Sequence, residues 1–121
     1  MDGSKVVKER RKSPRFYMDL PLEYRVTNAP DAHGGVVVNG SEIGLCINSV
    51  NNLPIGTRLD IAIIFPKEFQ MSNFEVAAEI IWKDLYLKED WSGYQYGLKI
   101  VHIGEDALGT LRQLLKEEFQ V

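Results

Sequence analysis

Cysteine is almost missing from this chain. Cys46 stands alone among 121 residues, so no internal disulfide can form and packing must hold the fold, as suits a reducing compartment. Histidine is nearly as scarce: His33 and His102 combine with Cys46 and the carboxylates into no set at metal-ligand spacing. There is no Gly-x-Ser-x-Gly elbow and no phosphate-binding loop ending in Lys-Ser/Thr. The sequence therefore offers no catalytic residues, no metal site and no cofactor site, and the expectation is a protein that is not an enzyme. Apolar runs are all too short to cross a bilayer, and Met1-Asp2-Gly3-Ser4-Lys5 lacks the hydrophobic region of a signal peptide. A cytoplasmic protein without membrane insertion is expected.

What remains is ordinary in bulk and uneven in detail. The 45% hydrophobic and 26% charged composition fits one globular domain with a single core. The net charge of −3 hides an asymmetry. Residues 1–16 carry Lys5, Lys8, Arg10, Arg11, Lys12 and Arg15 against Asp2 and Glu9, a net +4, which leaves −7 on the rest. A basic arm on an acidic body points to an anionic partner for the arm. A barrel that binds single-stranded nucleic acid would interleave basic and aromatic residues along its strands. Here the basic charge is confined to the arm, so nucleic acid is not an expected partner.

The arm has no apolar periodicity, and Pro14 opposes helix at Ser13. From Leu20 the period becomes two, with Leu20, Leu22, Tyr24 and Val26 on one face. Short β-branched strands follow at residues 35–39 and 45–50, separated by glycine- and asparagine-rich turns. Leu59, Ile61, Ile63 and Phe65 alternate in a fourth strand that Pro66 is expected to end. Phe74, Val76, Ala78, Ile80 and Trp82 alternate in a fifth, and residues 94–103 read as a sixth after a polar loop around Lys88 to Gly93. Ala107, Leu108, Leu111, Leu114, Leu115 and Phe119 then form a helical stripe. The expected fold is mainly β: a small six-stranded antiparallel barrel over residues 17–121, with an amphipathic helix at about 105–119 laid over an opening or along a wall.

Two motifs stand in this frame. Arg11 and Arg15 form Arg-x-x-x-Arg, directly preceded by Arg10, and Asn39-Gly40-Ser41-Glu42-Ile43-Gly44 forms Asn-x-Ser-x-x-Gly between two strands. In this order they resemble the two signature motifs of the PilZ domain, a bacterial receptor module for cyclic di-GMP. The likeness runs from about Lys8 to Leu115 and includes Leu20-Pro21-Leu22, Pro54-Ile55-Gly56-Thr57, Ile81-Trp82 and Tyr96-Gly97-Leu98-Lys99-Ile100.

The resemblance implies a non-catalytic second-messenger receptor whose arm arginines clamp guanine and phosphate against the Asn39–Ser41 surface. The chemistry suits those residue types. An arginine fork matches guanine O6 and N7 at once and pairs with phosphate, which lysine cannot do bidentately. Asn39 can accept from guanine N1–H and N2, Ser41 can donate to a phosphate oxygen, and Gly44 allows positive φ or close backbone approach. In this family an arginine before the motif, here Arg10, goes with two stacked ligands rather than one, and some members set an aromatic at the Trp82 position against a guanine. Trp82 equally suits the barrel core or helix packing. Trp91, in a polar loop, carries no expected role. The resemblance also implies an effector protein, unidentified, that reads the closed arm. The competing expectation is a PilZ-like protein-interaction domain that binds no nucleotide.

Overall fold

The computed structural model of the protein describes residues 16–120, with side chains through residue 116. Arg10, Arg11 and Arg15, and the rest of the expected arm before Phe16, lie outside the described residues. Period-two alternation becomes six antiparallel strands: β1 (Phe16–Val26), β2 (Ala32–Gly40), β3 (Gly44–Ser49), β4 (Arg58–Lys67), β5 (Gln70–Leu87) and β6 (Ser92–Ile103). Helix α1 (Glu105–Gln120) follows. The strands close in the order β1-β2-β3-β6-β5-β4, with β4 pairing back onto β1. Inward positions supply the core, among them Leu22, Tyr24, Val37, Leu45, Ile47, Ile61, Ile80 and Leu98, all at most 3% exposed.

One end of the ring is closed by the helix. Glu105 and Asp106 in its first turn complement the helix dipole. Leu111 and Leu115 are buried in the barrel's own cluster, with Ala107 and Leu114 partly buried against it. The helix touches β1 and β5, which are separated in the ring by β4, so it covers an opening rather than lying along one wall. Arg112 Nε also meets Glu42 Oε1 at 3.1 Å, linking the helix to the β2–β3 turn. The opposite end is fixed by polar contacts. Tyr24 Oη and Ser49 Oγ share a hydrogen bond of 2.8 Å, Asn51 Nδ2 donates to Tyr24 Oη, and Leu53 N donates to Tyr96 Oη, which itself donates to Asn51 O. Burial pushes the Tyr96 phenol above the usual tyrosine range. Among the described residues no helix is long and apolar enough to cross a membrane.

Two expectations from the pattern fail here. Pro66 does not end its strand: β4 runs to Lys67 and pairs through Pro66 with Met71. The β1 side of β4 is unpaired beyond Ile63, so the missing N–H of proline costs no bond on that side. Trp82 does not continue the inward alternation of Phe74 to Ile80. Ile81 is an extra residue between the pairs Ile80–Leu98 and Trp82–Gly97, a β-bulge that turns Trp82 outward. At 41% exposed, Trp82 is not core.

Candidate functional site

Register brings the site together. Phe16 pairs with Gly40 and Tyr17 with Asn39 on β2, so the residue following Arg15 enters the barrel beside Asn39-Gly40-Ser41. Asn39 pairs onward with Cys46 on β3, Cys46 with Gly97 on β6, and Gly97 with Trp82 on β5. Leu45 and Ile47, flanking Cys46, point into the core, so the row Tyr17, Asn39, Cys46, Gly97, Trp82 lies on the outer face. At about 4.8 Å per strand it spans roughly 19 Å, and Asn39 and Trp82 sit about 14 Å apart along it. Forty-three positions of sequence separate those two side chains; the ring removes that distance.

The local geometry has clear causes. Val38 is an extra residue of β2 against β3, and Met18–Asp19 stand opposite that one residue from β1. Asp19 takes a left-handed φ of 49° at that bulge, which Asp tolerates better than most residues. A Cβ on Gly97 would overlap the Trp82 indole atoms Nε1, Cε2 and Cδ1, so the indole lies on bare backbone. A Cβ on Gly40 would meet Leu45 Cδ2 at 2.7 Å, which explains the glycine between Asn39 and Ser41.

The turn is tighter than the ligand-donor role expected of Ser41 suggests. Ser41 is 2% exposed; its N–H donates to Gly44 O at 2.9 Å and its Oγ accepts from Ile43 N at 3.3 Å. Ile43 O in turn accepts from Ile100 N, tying the turn to β6. Gly44 is buried and does not have positive φ; among the described glycines that conformation belongs to Gly56, at 94°. The positive-φ expectation for Gly44 is therefore corrected. Among the described residues no cluster of His, Cys, Asp and Glu could hold a metal. His102 is exposed on the outside of β6, paired with Ala77.

The sequence profile of the PilZ domain matches residues 9–117. The chain belongs to the PilZ domain family. Solved structures share the fold at low identity. The PilZ domain of YcgR from Escherichia coli, solved with c-di-GMP, is 11% identical with a TM-score of 0.72, over 92% of this chain and 92% of that one. The Bacillus subtilis inhibitor of motility MotI/DgrA is 17% identical with a TM-score of 0.67, over 92% of this chain and 50% of that one. PlzA from Borreliella burgdorferi, solved in complex with c-di-GMP, is 11% identical with a TM-score of 0.59, over 93% of this chain and 56% of that one. The chain thus spans about half the length of MotI/DgrA and PlzA. A search of curated proteins gave no match.

Within this PilZ domain, several outer-face residues carry no motif. Tyr17, 73% exposed, extends the Asn39 row at its β1 end. Asn48 and Gln95 form the neighbouring row, with Gln95 Nε2 donating to Asn48 Oδ1 at 3.0 Å. Trp91 and Tyr86 meet edge-on at 5.6 Å near the tip of the β5–β6 hairpin. The sequence signal for these positions is the glycine pair Gly93 and Gly97 inside a strand, since strand glycines mark close approaches.

Proposed function

We propose that the protein is a non-catalytic receptor for cyclic di-GMP, in which Arg11 and Arg15 close over ligand held on the Asn39–Ser41 surface. The observation that carries this reading is the register: Phe16, the residue after Arg15 in sequence, stands opposite Gly40 and Tyr17 opposite Asn39, so β1 begins beside the second motif. Family membership supports it, as do the YcgR and PlzA structures solved with c-di-GMP. Asn39 would accept from guanine N1–H and N2, and the Trp82 indole would offer its face to a base at the far end of the row. Ser41 would contribute chiefly by shaping the turn, because its Oγ already caps Ile43 N.

Arg10 would supply the extra positive charge that two stacked ligands need, giving two per chain. Closure of the arm before Phe16 over the anion would create the surface that an effector protein reads, with the domain acting in the cytoplasm. Calorimetry with cyclic di-GMP, against GMP and a short oligonucleotide, tests the reading. Saturable binding of cyclic di-GMP alone, near two per chain and falling toward one in Arg10→Leu, is the expected result. No binding would leave the protein-interaction domain as the better account.

A further inference from the structure

A cleft of about 680 Å³ opens beside the Asn39 row, between the outer face of β1–β3 and the tip of the β5–β6 hairpin. That volume falls within the usual range for small-molecule sites. Its walls include Tyr17, Asp19, Asn48, Tyr86, Lys88 and Trp91. We infer that this cleft is a guanine-binding subsite, in which Trp91 and Tyr86 stack the base, Asp19 reads its N1–H and N2–H, and Lys88 meets the attached phosphate. The inference rests on the cyclic di-GMP reading for its natural ligand, but the site itself stands on its own geometry.

Four observations carry it. First, the Trp91 indole is seated on strand backbone: a Cβ on Gly93 would meet its Cη2 at 2.7 Å and Cζ2 at 2.9 Å. Tyr86, paired with Gly93, braces the indole at 62°. Second, Lys88 Nζ stands 5.5 Å from the Tyr86 ring centre, so a cation sits at the aromatic wall. Third, Asp19 faces the cleft from the β1 bulge. A carboxylate is acceptor-only, which suits the two donors on guanine's Watson–Crick edge; adenine presents an acceptor at N1 and is disfavoured. Fourth, a Cβ on Gly34 would meet nothing within 4 Å, so glycine there leaves the cleft unfilled.

Spacing joins the cleft to the rest of the face. Gly93 and Gly97 lie on the same side of β6, four residues and about 13 Å apart. Each seats one indole, Trp91 and Trp82. A ligand with two guanines, or a stacked pair of such ligands, would find two aromatic platforms on one wall, with Gln95 between them and Asn48 paired beside it.

The two tryptophans give two side-chain indole N–H signals, which makes a direct test. The 15N-labelled full chain is titrated separately with GMP, AMP and cyclic di-GMP. GMP should move the Trp91 signal and AMP should not, and Trp91→Ala should weaken cyclic di-GMP binding about tenfold or more. Asp19→Asn keeps a residue that accepts left-handed φ, so it should fold and retain stacking, while its preference for GMP over AMP weakens because the amide keeps one acceptor and gains a donor that can meet adenine N1. A Trp91 signal unmoved by all three nucleotides, or moved equally by GMP and AMP, overturns the subsite. Movement of Trp82 alone with cyclic di-GMP keeps the receptor reading and removes the subsite. Movement of Trp91 with GMP, without cyclic di-GMP binding, keeps the subsite and removes the receptor reading.

Discussion

Replacing Gly97 with alanine would test the seat of Trp82 directly. The three atoms nearest the added Cβ all belong to the Trp82 indole, and Gly97 is not at positive φ, so the methyl acts through that ring. The indole must leave the strand. Trp82 is already 41% exposed, so its displacement frees on the order of 100 Å², costing about 2.5 kcal/mol at ~25 cal/mol/Å². Alanine returns roughly 0.5–1 kcal/mol by reducing the freedom of the unfolded chain. The net loss is about 1.5–2 kcal/mol, or roughly 5–12 °C in melting temperature for a domain of this size. Thermal melts of Gly97→Ala, Trp82→Ala and the double variant close a mutant cycle. Once the indole is gone, Gly97→Ala should be neutral or slightly stabilising, a coupling of about 2 kcal/mol. Equal destabilisation in both backgrounds would refute the packing argument, since the methyl would then clash with something other than the indole.

Arg15→Ala should abolish measurable cyclic di-GMP binding by calorimetry with the melt unchanged, and Arg11→Lys should weaken binding because it keeps charge without the fork. Ser41→Ala should cost about 1 kcal/mol in urea unfolding, because Ile43 N–H loses its partner, the Oγ of a buried serine; an unchanged midpoint would show the bond to be idle. Leu111→Ala should cost about 2–5 kcal/mol in the same assay, since its side chain is fully buried where helix meets barrel. Tyr96→Phe should destabilise at neutral pH and flatten the alkaline limb. The folded pKa is raised, so the Tyr96 contribution is complete below the unfolded value of ~10 and is lost as pH rises through the folded value. Urea titrations between neutral and strongly alkaline pH would show this as a shallower decline in the variant.

Most of the ring was legible because each strand buries one face, and a period of two leaves few alternatives. Leu59, Ile61, Ile63 and Phe65 point inward as their alternation requires, and the Leu111–Leu115 stripe caps the barrel as its helical spacing requires. Bulges were not legible. Ile81-Trp82 is a pair of large apolar residues whose side chains fit either phase, and nothing local says which of them is the extra residue. Pro66 looked like a stop because proline lacks a donor, but only the ring order reveals that β4 has no partner there on its β1 side. Gly44 looked like a left-handed turn residue, yet the turn closes through Ser41 N–H and Oγ without that conformation. The Trp91 cleft was hidden by its setting among Lys88, Glu89, Asp90 and Ser92, a polar stretch whose aromatics find each other only across the hairpin.

The alternation that hides the core also separates two kinds of evolutionary freedom. Tyr17 faces away from Met18, Cys46 faces away from Leu45 and Ile47, and the bulges at Val38 and Ile81 turn Asn39 and Trp82 away from Val37 and Ile80, which carry the packing. Substitutions along the outer row can therefore change the chemistry of that face while the interior stays intact. The exceptions are the glycine seats under the two indoles, where an outer side chain and the strand backbone meet at one residue. Sequence drift should accordingly run through positions such as 17, 39, 48 and 95, while 97 stays small for as long as Trp82 lies above it and 93 is held small by the Ser49 carbonyl as well as by the Trp91 indole.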